Sequence, residues 1–578
     1  MAKKVADQIV EMLVENGVKR IYAVTGDSLN ELNDAVRRSG KIKWIHVRHE
    51  EAGAYAAAAE AELDGLACCA GSCGPGHVHL INGLYDAHRT GAPLIAIAST
   101  INTPEFGVDY FQSTNTIRLF DDCSCYNEVA STAGQVPRML QSAIQHAIHN
   151  KGVAVLGLPG DVSALPAEES VTAMHNYRNN PVIRPSDFEL SQLADVLNSS
   201  AKTTIFCGIG AGKAHDEVVQ LAALLNAPVG YSFRGKMDIQ YDNPYEVGMT
   251  GLLGLPSAYH SMHEADVVLL LGTDFPYQAF MPLKNKIIQI DDKPEKLGRR
   301  AKLEMGLCGK IEDTIKALLP LLNQNTDDSF LKAQLKLYDH VKENQNIYVK
   351  DQGETDKISP EFVAHTINTL ANHDTIFTVD TGMCCVWGAR YLHATGQRKL
   401  LGSFNHGSMA NAMPMAIGAS LSYPDRQVIA LCGDGGLSMM LGDLATIKQY
   451  NLPIKLVVFN NRALGMVKLE MEVQGLPDNE TYMVNPNFAL IAQAMGFTGI
   501  TVHNPGALPE ILQKAFAEEG PVLINVMTNP ASLAMPPKIE WDQVKGYALS
   551  MGKLILGGRM DEVLDTVKSN YKHLNDLI

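Results

Sequence analysis

Nowhere does this chain carry 18 consecutive apolar residues, so no segment reads as a membrane-spanning helix. A long Lys/Arg block is missing too. The 48 basic residues against 63 acidic ones leave a net charge of −15, which argues against a nucleic-acid partner. Cysteine spacing of the metal-binding kind is also absent. The ten cysteines fall mostly in apolar runs (Cys68-Cys69, Cys207, Cys432), while Cys123-Ser124-Cys125 and Cys384-Cys385 are too close for ordinary zinc pairs. Reduced, buried thiols are expected instead. The opening Met1-Ala2-Lys3-Lys4-Val5 begins no apolar leader, so the expectation is an intracellular protein.

What is present is a folded composition, 46% apolar and 19% charged. Its 578 residues suit three or four domains. Strand-like runs alternate with helical patterns in three series, which predicts α/β architecture with parallel sheets. The first series runs from Ile21-Tyr22-Ala23-Val24 to Val153-Ala154-Val155-Leu156, the second from Thr204-Ile205-Phe206-Cys207 to Ile287-Ile288-Gln289-Ile290. The third runs from Thr375-Ile376-Phe377-Thr378-Val379 to Val522-Leu523-Ile524-Asn525-Val526. Polar stretches at 166–186 and, partly helical, at 323–359 read as linkers. The expected division is three doubly wound domains at 1–180, 181–335 and 336–530, then a tail at 531–578. In that tail Met560, Val563, Leu564, Val567, Tyr571, Leu574 and Ile578 recur at helical spacing, after a possible hinge at Gly557-Gly558.

Two short segments carry the most chemistry. Gly433-Asp434-Gly435-Gly436 follows the buried-strand pattern Gln427–Cys432, and Asn460-Asn461 follows Lys455–Phe459. A glycine-rich turn opening a helix offers backbone N–H groups to a diphosphate. An Asp and an Asn at neighbouring strand ends can complete the oxygen shell of a bridging Mg²⁺. Two turn-rich loops without a ligand are the plainer alternative.

With Val24-Thr25-Gly26-Asp27-Ser28, Arg48-His49-Glu50-Glu51, Gly71-Ser72-Cys73-Gly74-Pro75-Gly76 and Gly402–Met409, these segments resemble the thiamine diphosphate-dependent pyruvate oxidase family. The likeness is greatest to its quinone-linked, acetate-forming bacterial branch. It implies that Glu50 meets the cofactor's aminopyrimidine, where a carboxyl group promotes the imino tautomer. It also implies Asp434, Asn461 and the Ala463 carbonyl as Mg²⁺ ligands. Gly407, Ser408, Met409, Gly435, Gly436 and the segment Arg462-Ala463-Leu464-Gly465-Met466-Val467 would hold thiamine diphosphate. Phe111, Gln112, Met466 and Glu470 would line the reaction site, although Ser113 replaces the family's usual Glu. His77 and His79, just past the turn, are expected to serve structure. In the middle domain Cys207-Gly208-Ile209-Gly210-Ala211-Gly212 is a weak dinucleotide signal by itself. The resemblance adds Thr250, Gly251, Leu252, Leu253, Thr273, Asp274, Phe275, Pro276, Tyr277 and Asp291 as an FAD site.

The function implied is oxidative decarboxylation of pyruvate to acetate and CO₂, with electrons passing through FAD to ubiquinone or another membrane quinone. The implied setting is a homo-oligomer, a dimer at least and as large as a homotetramer. Its tail would bind the phospholipid surface on the cytoplasmic face of the cell inner membrane. Three alternatives differ in chemistry: an acetolactate synthase, an O₂-using pyruvate oxidase, and a non-catalytic cofactor-binding subunit. Met466 stands where quinone-linked oxidases tend to have Phe, which leans toward the synthase. Glu470 stands where synthases usually have Trp, which leans away from it. Intact Glu50, Asp434 and Asn461 speak against a non-catalytic role.

Overall fold

Short β-branched and small apolar runs form three six-stranded sheets in a computed structural model that describes residues 2–168, 176–273, 275–350, 357–532, 534, 541–556 and 559–570. The first sheet contains β1 (Arg20–Ala23), β2 (Lys43–His46), β3 (Ala67–Gly71), β4 (Leu94–Thr100), β5 (Tyr126–Val129) and β6 (Val153–Pro159). The middle sheet contains β7 (Thr203–Cys207), β8 (Val229–Tyr231), β9 (Glu246–Met249), β10 (Val267–Leu271), β11 (Lys286–Asp291) and β12 (Met305–Cys308). The third contains β13 (Ile376–Val379), β14 (Lys399–Leu401), β15 (Val428–Gly433), β16 (Lys455–Asn460), β17 (Thr498–Val502) and β18 (Val522–Met527). Every strand pairing among them is parallel. Strands such as β4, β6 and β16 are buried along their whole length, as helices covering both faces of a parallel sheet require.

The first and third sheets share one topology, β2-β1-β3-β4-β6-β5 and β14-β13-β15-β16-β18-β17. The middle sheet reads β9-β8-β7-β10-β11-β12, the strand order of dinucleotide-binding folds. Strand order reverses beside β1/β3, β7/β10 and β13/β15. In open α/β sheets the crevice at the carboxyl ends of those strands is where ligands bind.

One helix crossing ties the outer domains together. Glu50–Asp64 is alanine-rich, capped by His49 accepting from the Glu51 N–H and closed by Gly65 at φ 93°. It packs on the helix Ala412–Ser422, whose residues through Ser420 are buried. A Cβ on Gly418 would lie 2.0 Å from the Ala56 carbonyl oxygen, so only glycine admits this approach.

The helix Ser329–Lys350 runs across the expected division at 335/336. The tail contains two helices, Trp541–Leu556 and Met560–Asn570. The first of them docks on the third domain: Ser550 Oγ donates to the Leu476 carbonyl at 3.0 Å and Lys553 Nζ to that of Gly475 at 2.8 Å. Gly557, Gly558, Tyr571, Leu574 and Ile578 lie outside the described residues. Among the described residues no helix is long and apolar enough to cross a membrane.

Candidate active site

At the carboxyl end of β15 the chain turns directly into the helix Asp434–Met439, which buries Asp434. Its Oδ2 accepts from the Arg462 N–H at 2.7 Å and from Asn485 Nδ2 at 2.7 Å, and its Oδ1 accepts from the Gly435 N–H at 2.9 Å. Arg462 reaches that position in the left-handed region, at φ 57°. Asn461 folds its own Oδ1 onto the Ala463 N–H at 3.0 Å. Burial pushes the Asp434 carboxyl up to about 6, against the opposing hydrogen bonds. Beside it at the end of β13, Asp380 is fully enclosed and pushed up to about 7 by the same cause. A Cβ on Gly436 would fall 1.8 Å from Asp380 Oδ2, so the glycine is what lets this carboxylate lie against the turn. Asp380 is held by the N–H groups of Thr381, Ala410, Asn411 and Gly433, whereas Asp434 lines the cavity with Asn461 and Ala463, oxygen donors of the kind that fits a hard divalent cation.

The middle sheet meets this corner through a shared cavity of about 1650 Å³. At the β7/β10 crossing the loops interlock: a Cβ on Gly208 would be 2.4 Å from the Gly272 carbonyl oxygen. Ile209, Gly210, Thr250, Thr273, Phe275 and Asp291 line the middle-domain half. Thr250 Oγ1 is buried there with no hydrogen-bond partner in the protein, which suits a polar ligand group. Lys213, Lys293, Lys296 and Arg299 give this half a basic rim, while Glu62, Arg89 and Asp122 are among its first-domain walls. The volume exceeds the roughly 300–1,000 Å³ of a single-ligand pocket.

Glu50 occupies a different place. It is the first residue of its helix and is buried. Its Oε2 lies 3.0 Å from His79 Nδ1, and a Cβ on Gly76 would press on its Oε1 at 3.2 Å. His79 also stacks on His49 at 4.6 Å. His77, by contrast, is buried between the Ser99 carbonyl and Thr114 Oγ1, and burial lowers its pKa. His77 is thus held by the protein itself, while His79 stands against the Glu50 carboxylate. Gln112, at φ 62°, packs on Gly74 and accepts from Cys73 Sγ at 3.2 Å, while Phe111 projects into solvent.

The cavity thus gathers Gly407, Met409, Asp434, Gly435, Gly436, Asn461, Ala463, Leu464, Gly465, Met466, Val467 and Glu470. With them come Thr250, Leu252, Leu253, Thr273, Phe275, Pro276, Tyr277 and Asp291. Met409 rests on Gly435 at the cavity wall and is only half-buried, so it is not a core methionine. Glu50, Phe111, Gln112, Ser408, Gly251 and Arg462 are not among the lining residues, and Asp274 lies outside the described ones. Gly251 sits just behind, at φ 107° against Phe275. Ser408 is turned toward the first domain, where Asn82 Nδ2 donates to its Oγ at 3.0 Å. Asp86 holds the same loop: its carboxylate accepts from Ser403 Oγ at 2.6 Å, and Ser403 Oγ accepts from the Ser408 N–H at 2.9 Å. Asn82, Asp86, Asp380 and Asn485 were not singled out from the sequence. Only Asp380 left a signal there, an Asp directly after a strand run, as at Asp434.

Three models of thiamine pyrophosphate enzyme domains match the chain. The N-terminal TPP-binding domain covers residues 3–119, the central domain 190–318, and the C-terminal TPP-binding domain 380–526. The chain belongs to the thiamine diphosphate (thiamine pyrophosphate) enzyme family. Along 99% of its length it is 35% identical to the whole of a putative thiamine pyrophosphate-containing protein, YdaP, of Bacillus subtilis (strain 168). It is 32% identical to a pyruvate oxidase of Lactiplantibacillus plantarum over 90% of this chain and 87% of that one. A probable acetolactate synthase large subunit of Methanococcus aeolicus is 28% identical over 92% and 93% of the two chains.

The two buried carboxylates make the stability of the metal-free protein depend on pH. Both have folded pKa values above the ordinary unfolded value of about 3.9, so the folded state holds more protons between those limits. Their contribution is complete below about pH 4 and is lost as pH rises through about 6 for Asp434 and about 7 for Asp380. Asp380→Asn should remove much of that loss. It is expected to stabilise the metal- and cofactor-free protein at pH 8 relative to pH 5 by on the order of 2–4 kcal/mol. Denaturant unfolding at both pH values checks this, and identical pH dependence in parent and variant would contradict it.

Proposed function

We infer that this chain oxidatively decarboxylates pyruvate, using thiamine diphosphate, Mg²⁺ and FAD. The continuity of the cavity carries this reading. One continuous cleft joins the carboxylate corner of the third sheet to the dinucleotide-type crossing of the middle sheet, which supports a site shared by two cofactors. When bound, thiamine diphosphate supplies the electron sink for loss of CO₂ and FAD supplies a two-electron acceptor. Pyruvate and water then give acetate, CO₂, two electrons and two protons. Asp434, Asn461 and the Ala463 carbonyl would hold the metal, and Gly435 and Gly436 would admit the diphosphate to the backbone. Thr250, Thr273 and Asp291 would hold the flavin nucleotide. Similarity to the pyruvate oxidase supports pyruvate as the substrate. The purified protein should be yellow, and anaerobic pyruvate should bleach its flavin absorbance stoichiometrically. A colour that pyruvate leaves untouched would point to a synthase of the same family, the reading that Met466 favours. Air reoxidation after bleaching separates an O₂-using oxidase from a quinone-linked one.

The active unit proposed is at least a dimer. Glu50 is not among the residues that line the cavity holding Asp434, which supports a proton-moving carboxylate supplied by a second copy. Each of Glu50→Gln and Asp434→Ala should lower turnover by about 10²–10⁴-fold. Mixed oligomers of the two should regain part of the activity, because one of the shared sites is then intact. Absence of any recovery in co-expressed heteromers would exclude a shared site.

The proposed acceptor is a membrane quinone, reached from the cytoplasmic face by the tail. Met560, Leu564 and Val567 on the last described helix are exposed, as are Leu549 and Leu556 on the helix before it. Charges of both signs flank them, so binding would rest on buried apolar area more than on anionic lipid. Deleting residues after Gly558 should abolish liposome co-flotation while leaving flavin reduction by pyruvate intact. Full-length-level flotation of the truncated protein would overturn this reading.

A further inference from the structure

We propose that Asn485 tunes the metal preference of the site by occupying one oxygen of Asp434, so that the carboxylate binds a cation through the other oxygen alone. The proposal rests on the reading of Asp434 as a metal ligand. Asn485 Nδ2 lies 2.7 Å from Asp434 Oδ2 and 2.9 Å from Asn460 Oδ1. An amide nitrogen has two hydrogens, and both are used here. The flipped amide would set a carbonyl against a carboxylate, so the orientation follows from the network. Asn460 is itself anchored, donating from Nδ2 to Asn525 Oδ1 at 3.0 Å with both residues buried. The segment carrying Asn485 is tied to the metal loop by Leu464 N–H donating to the Thr481 carbonyl and Met483 N–H to that of Arg462, each at 2.8 Å.

Each carboxylate oxygen offers about two lone-pair directions. Among the described residues Oδ2 receives two donors from elsewhere in the chain, Asn485 Nδ2 and the Arg462 N–H, while Oδ1 receives the N–H of the adjoining Gly435. The remaining direction is on Oδ1. Single-oxygen ligation suits the compact octahedron of Mg²⁺, whereas Ca²⁺ accepts two oxygens of one carboxylate and a looser shell. Without Asn485, Oδ2 regains a free direction and two-oxygen ligation becomes available.

The test is calorimetric titration of the metal-depleted full-length protein with Mg²⁺ and, separately, Ca²⁺ at saturating thiamine diphosphate. Asn485→Leu and Asn485→Ala should each weaken Mg²⁺ binding by about 10–100-fold, the usual effect of removing a partner that orients a metal ligand. Ca²⁺ binding should weaken far less, so the Mg²⁺/Ca²⁺ affinity ratio falls. Asn487→Ala is the control: Asn487 Oδ1 caps the helix Phe488–Ala494 by accepting from the Leu490 N–H and does not touch Asp434. It should leave the ratio at the parent's value. An unchanged ratio in whichever Asn485 variant retains the parent's melting profile overturns the proposal, as does an equal shift in Asn487→Ala. A parent that binds neither ion would overturn the metal reading as well. A parent that binds Mg²⁺ alongside variants of unchanged ratio would overturn the role of Asn485 alone.

Discussion

The backbone contact between Gly418 and Ala56 is the constraint on which the arrangement of the outer domains depends. Two helices of small residues approach until a carbonyl oxygen occupies the space a β-carbon would need. Such a crossing buries little area per residue, yet it tolerates almost no sliding, because any larger side chain must push the helices apart. The same rigid pair brings Asn82 and Asp86 under the 403–408 loop. That loop carries Gly407 and Met409 to the cavity wall.

The cavity is electrostatically divided. Its third-domain end carries Asp434, raised by burial, with the enclosed Asp380 behind the turn. Its middle-domain end is basic at the rim. Buried carboxylates without cationic partners cost folding free energy in the empty protein. A divalent cation at that end offsets the cost, and a basic rim favours an anionic group at the other. The division therefore sets the direction in which nucleotide and diphosphate ligands would lie, whatever the acceptor of the electrons.

Much of the architecture was legible before any coordinates. Apolar runs bounded by glycine and proline marked buried parallel strands, and the turns after β15 and β16 stood out because a Gly-Asp-Gly-Gly turn and an Asn pair fall directly at the ends of two buried-strand patterns. The polar run 323–359, expected as a partly helical linker, contains the continuous helix Ser329–Lys350. There Tyr338, Phe330 and Leu331 supply a buried face that the overall polarity hides. The position of His79 just past a turn says nothing about the Glu50 carboxylate that folding brings to it.

Local chemistry by itself showed which residues could serve: Asp434 and Asn461 for a cation and the glycines for close approach, whereas Glu50 stood out only through the family resemblance. The cation and glycine assignments follow from side-chain type and from spacing along one strand–turn–helix unit, which sequence displays directly. Tertiary structure alone decided who stands beside whom. It joined two sheets in one cavity, placed Glu50 outside it, set Asp380 against Gly436, and brought Asn485 and Asn460 into one network with Asp434. Those relations come from strand order and helix crossing between residues tens to hundreds of positions apart, and no local pattern encodes them.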